Sequence, residues 1–127
     1  MVTKRLLHDL PENADLRRAD SLAREIFSDV ANKWALLIIE ALGDGTLRFS
    51  ELRQEVDGIS HKMLTQNLRM LERNGLVDRK VYATVPPRVD YTLTAPGHAL
   101  RATVDTICEW TQQHLGRIED ARQRFDG

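Results

Sequence analysis

Residues 46–94 read TLRFSELRQEVDGISHKMLTQNLRMLERNGLVDRKVYATVPPRVDYTLT, and their punctuation decides the fold class. Leu47-Arg48-Phe49 reads as a short strand, and a helix opens at Ser50. Asp57-Gly58 is a turn, a second helix opens at Ser60, and Asn74-Gly75 ends it. Leu76 to Tyr82 and Arg88 to Leu93 then alternate apolar and polar residues, as half-buried antiparallel strands do. Pro86-Pro87 stiffens the tip between them and denies it two backbone donors. A helix, a turn, a helix and a hairpin in this order form a helix-turn-helix followed by a wing.

The second helix can be tested by its period. Ser60 is a good N-cap, because its hydroxyl can accept from an orphan N–H of the first turn. Leu64, Leu68 and Leu71 fall at i, i+4 and i+7 and make one buried stripe. His61, Lys62, Thr65, Gln66, Arg69 and Arg73 share the other side, which carries no carboxylate; Glu72 lies at its edge. A merely solvated face would normally mix in acids. Gln66 and Arg69 suit adenine and guanine edges in a major groove, while Lys62 and Thr65 suit phosphates. From the hairpin, Arg79, Lys80 and Arg88 can reach the backbone or minor groove alongside. Arg88 has a second reading of equal standing, as an internal partner of Asp90 or another acid.

Outward from this stretch, residues 1–14 form a loose arm containing Pro11, Glu12 and Asn13, and residues 15–127 form one domain. Asp15 can cap a first helix running to about Ser28, with Leu16, Ala19, Leu22, Ala23, Ile26 and Phe27 on one face. A further helix starts near Asn32 or Lys33 and stops before Gly43. Its run Trp34-Ala35-Leu36-Leu37-Ile38-Ile39 is apolar nearly all round, which marks a central buried helix. Thr94 caps a long C-terminal helix from about Ala95 past Leu115, reaching toward Arg124. The fold class is α+β, mostly α: a winged helix-turn-helix with N- and C-terminal helices, to which the family resemblance given below assigns dimerisation.

Charge is informative only locally. The chain carries a formal net charge of −1, yet residues 60–90 hold six cations against three anions. That local +3 sits on the second helix and the hairpin, where phosphates would lie. A hydrophobic share of 42% and a charged share of 29% exclude a disordered chain. The longest apolar run is far too short for a bilayer, and the N-terminus lacks the apolar core of a signal peptide, so the expected compartment is the cytoplasm. A lone cysteine, Cys108, excludes an internal disulfide and fits a reducing compartment. No phosphate loop, serine elbow or paired histidines appear, so neither an enzyme, a metal site nor a cofactor is expected.

Several motifs together resemble the HxlR-type branch of winged-helix regulators, relatives of the MarR family. They are Lys33-Trp34 ahead of an apolar helix, Phe49-Ser-Glu-Leu-Arg, Gly58 through Glu72, Asn74-Gly-Leu-Val-Asp-Arg, and Tyr82 through Thr94. The resemblance covers residues 20 to 115. It implies a transcriptional regulator that binds double-stranded DNA as a homodimer on a two-fold-related operator, with the first and last helices forming the interface. Many members carry a sensing thiol near the start of their first conserved helix. The matching position here is about Ser21, which cannot form a thiolate. His61 stands where many members have proline, and Thr94-Ala95-Pro96-Gly97 is a shifted form of the family's Thr-Pro-x-Gly.

The interface expected from these readings comprises Leu22 and Ile26 with Val104, Ile107, Cys108, Thr111 and Leu115. Cys108 is read as a buried small hydrophobe among apolar neighbours. A small-molecule effector, if held between interface and DNA-binding lobes, would meet Phe27, Trp34, Met63 and Trp110, which can equally be core. The competing function is a winged-helix module that binds protein; Lys62, Gln66 and Arg69 on the exposed face favour DNA.

Overall fold

A computed structural model describes residues 14–127. The expected arm therefore lies, apart from Ala14, outside the described residues. The described chain runs α1 (Ala14–Val30), α2 (Lys33–Leu42), β1 (Thr46–Arg48), α3 (Phe49–Glu55), α4 (His61–Arg73), β2 (Val77–Tyr82), β3 (Arg88–Leu93), α5 (Ala95–Gln113) and α6 (Leu115–Asp126). Asp15 lies inside the first turn of α1 rather than capping it, and α1 continues two residues past Ser28.

Local chemistry explains most boundaries. Asn32 caps α2 by accepting from the Ala35 N–H at 2.9 Å. The Ser60 hydroxyl accepts from the Met63 N–H at 3.0 Å, and α4 starts where the sequence places it. At the other end Gly75 has φ +73, a conformation glycine adopts without strain, and the Leu76 N–H donates back to the Leu71 carbonyl at 2.9 Å. Thr94 caps α5 through the Gly97 N–H at 3.1 Å while its hydroxyl donates to the Gly75 carbonyl at 2.6 Å.

The sheet is antiparallel with order β1-β3-β2. Arg79 faces Tyr91 across the β2–β3 ladder and Lys80 faces Asp90, while β1 adds Leu47 beside Tyr91 and Arg48 beside Asp90. Side chains alternate, so Arg79, Tyr91 and Leu47 share one face and Lys80, Asp90 and Arg48 the other. Ala35, Ile38, Ile39 and Leu42 of α2 fill the centre against Leu52 and Val56, the Leu64-Leu68-Leu71 stripe of α4, and Val77 and Leu93 of the hairpin. Each of these side chains larger than alanine contributes about 1.5–3 kcal/mol by leaving water. The burial of α2 is less complete than its composition predicts, because Leu37 remains 40% exposed.

Two expectations are corrected. The C-terminal helix is not continuous: it breaks at His114, whose N–H is shared between the Trp110 and Thr111 carbonyls at 3.2 Å each. Cys108 is exposed rather than buried. Ile107 precedes it and Glu109 follows it, and residues i±1 on a helix do not cover one another.

Candidate nucleic-acid interface

α4 presents its polar face outward because its leucines are anchored in the core. Lys62, Gln66, Arg69 and Arg73 are all exposed, and none of their side chains has a hydrogen bond or ion pair to the rest of the described chain. His61 packs its ring on Phe49, with centroids 4.8 Å apart. The Thr65 hydroxyl donates to the His61 carbonyl at 2.9 Å, so its proton is not free for a phosphate.

Asn67, which the leucine period alone does not single out, is buried within the leucine stripe and donates to the Met63 carbonyl at 2.9 Å. Its spacing of three from Leu64 and four from Leu71 was the available signal.

The hairpin arginines differ from one another. Arg88 donates to both oxygens of Asp90, at 2.9 and 3.1 Å. Of its two readings, the internal partner is the one the structure adopts. Asp90 is buried, and the hydrogen bonds from Arg88 hold its carboxyl below the usual carboxylate range. The Arg88 guanidinium is still 45% exposed and lies 5.2 Å from the centre of the Tyr82 ring, with the Lys80 ammonium 5.0 Å from the same ring. Arg79 sits on the opposite sheet face, toward α4, and pairs with Glu72 at 3.7 Å. Between α4 and the sheet lies a cleft of about 240 Å³ lined by Phe49, Thr65, Leu68, Arg69, Glu72, Arg79 and Tyr91. Tyr91 was not singled out from the sequence; burial pushes its phenol above the ordinary value.

An acid-free polar helix face beside a two-stranded wing is the shape that lays a helix in a major groove. The family model described as HxlR-like helix-turn-helix matches residues 29–119. The chain belongs to the HxlR-like helix-turn-helix family. It is 40% identical over 96 residues to the HTH-type transcriptional regulator YtfH of Escherichia coli strain K12, covering 76% of each chain. Among solved structures it resembles the transcriptional regulator ytfH from Salmonella typhimurium, with a TM-score of 0.68 and 40% identity over 80% of this chain and 90% of that one. The redox regulator HypR in its reduced form is similar too, with a TM-score of 0.68 and 35% identity over 77% and 97% of the two chains. This HxlR-like chain is thus a transcriptional regulator with a helix-turn-helix DNA-binding fold.

The remaining expected site residues are scattered more than the sequence suggested. Leu22, Ile107 and Leu115 are each about half exposed, Val104 and Thr111 are partly covered, and Ile26 packs against the core. Of Phe27, Trp34, Met63 and Trp110, Phe27 lines a pocket among the described residues. That pocket is an apolar groove of about 480 Å³ between α1, α2 and α5, whose walls include Val30, Leu36, Leu100, Val104, Ile107 and Cys108. Trp34 and Met63 pack on the core, and Trp110 lies farther along α5 with its ring 5.5 Å from that of His114. Among the described residues, no helix is long and apolar enough to cross a membrane.

Proposed function

We propose that this regulator binds a two-fold-related operator as a homodimer, with α4 in the major groove and the β2–β3 hairpin beside it. The observation that carries the reading is the face of Lys62, Gln66, Arg69 and Arg73, exposed and without internal partners. Gln66 reads a base edge, and Lys62 and Arg73 hold phosphates. The bare apolar side of α5, with Leu22 and Phe27 of α1, supports pairing with a second copy. The α1–α2–α5 groove suits an apolar or aromatic effector, lined as it is almost wholly by hydrocarbon. HypR is a redox regulator; the sensing thiol that the family resemblance implies for many members has no counterpart here, where the matching position is about Ser21. The reading is tested by titrating promoter-region fragments across a salt series. Binding should weaken along a log–log line whose slope counts phosphate contacts. A purified protein that retains no fragment even at low salt would remove it.

A further inference from the structure

The cleft between α4 and the sheet holds two arginines, one phenol and one acid; Arg69 belongs also to the exposed face of α4, while Glu72, Arg79 and Tyr91 lie outside that face. The register brings Arg79 and Tyr91 side by side on the helix-facing side of the sheet. From α4, Arg69 and Glu72, three residues apart, line the same cleft. Arg69 has no ion-pair partner among the described residues. Arg79 has only Glu72, at 3.7 Å, with both side chains more than two-fifths exposed. That distance is well beyond the roughly 2.7–2.9 Å of a charge-assisted hydrogen bond. The Tyr91 hydroxyl, half-buried on the cleft wall, donates to no group of the described chain. A phenol in such a place normally finds a partner.

We infer that this cleft is a seat for a DNA backbone phosphate, gripped by Arg69, Arg79 and Tyr91, and that Glu72 competes with the phosphate for Arg79. The inference rests on the operator-binding reading above. With α4 in the major groove and the hairpin alongside, the backbone between them passes the mouth of the cleft. A phosphodiester offers two oxygens to the guanidinium and phenol donors that line the cleft. Exposed ion pairs contribute little, so Arg79 leaves Glu72 at small cost. Arg69 then grips backbone rather than reading a base, and Gln66 alone on that part of the face carries sequence preference.

The test needs no known operator, because a phosphate seat acts on every sequence. Binding of a random-sequence duplex is followed by fluorescence anisotropy across a sodium chloride series. Tyr91→Phe should weaken binding about threefold, the loss of one hydrogen bond, with the salt slope unchanged. Arg79→Ala should lower the slope by about 1. Glu72→Gln should tighten binding about threefold, and that gain should vanish in the Arg79→Ala background, since Glu72 acts through Arg79. Circular dichroism confirms that each variant folds. A gain that persists without Arg79 would show mere loss of repulsion and overturn the role of Glu72. Wild-type affinity and slope in both Tyr91→Phe and Arg79→Ala would overturn the seat while leaving the operator reading intact. Failure of the unmodified protein to bind any duplex would remove the operator reading, and the seat with it.

Discussion

Single residues carry two constraints that chain order hides. A Cβ built on Gly97 would lie 2.1 Å from the Leu76 carbonyl oxygen, and the obstacle is backbone, not a flexible side chain. Gly97→Ala must push α5 off the hairpin and should cost about 1–3 kcal/mol in a denaturant melt. The motif Thr94-Ala95-Pro96-Gly97 pointed to a helix start, but the close approach is tertiary and could not be read from it. Asp90 is similar. Its spacing from Arg88 allowed either an ion pair or a free arginine, and β1 closing over the far edge of β3 decided for burial. Because Arg88 lowers the Asp90 pKa from its ordinary 3.8, the folded state holds that proton more weakly than the unfolded chain. The pair therefore stabilises the fold above pH 3.8, and the benefit is lost as pH falls through the lower folded value. Asp90→Asn should lower the melting temperature at neutral pH, and the deficit should shrink only in strong acid. A deficit that closes already near pH 5 would assign the titration to another group.

At the scale of elements, α4 was the most legible part because every local signal agreed. Ser60 caps it, three leucines set its period, and Asn74-Gly75 stops it, each through contacts within one or two turns. Leu64 is fully buried beneath this helix, so Leu64→Ala should cost about 2–5 kcal/mol and reduce DNA binding only through loss of folded protein. Gln66→Ala should instead leave stability unchanged. It should cost about 1–3 kcal/mol on the preferred site and flatten the preference, whereas Lys62→Ala should weaken all sequences alike. Competition binding with a randomised duplex pool separates the two; equal profiles for both variants would deny Gln66 a reading role. The break at His114 was not legible. No proline lies near it, and the nearest signal, Gly116, falls beyond it and only lowers helix propensity. The helix ends there by sharing one N–H between two carbonyls, a geometry that composition does not announce.

Over the whole molecule, the apolar groove between α1, α2 and α5 is what a single chain leaves unfinished. Leu22, Phe27, Ile107 and Trp110 are each more than half exposed, an arrangement a lone chain in water would not favour. The sequence showed that α5 had more apolar surface than the hairpin needs. It also suggested that Cys108 was hidden, and in one chain it is not. Both observations are reconciled if the seam formed by a second copy covers the thiol, which lines the same groove as Ile107. Ile107→Asp would then bury an unpaired charge at that seam and yield monomers by light scattering. Cys108 becomes the reporter. It should react slowly with iodoacetamide in the unmodified protein at micromolar concentration, and faster on dilution or in Ile107→Asp, because alkylation samples only chains whose groove is open. Equal alkylation rates in the two proteins, with both eluting as monomers, would mean that the groove is not a self-interface and must be covered by something other than a second copy.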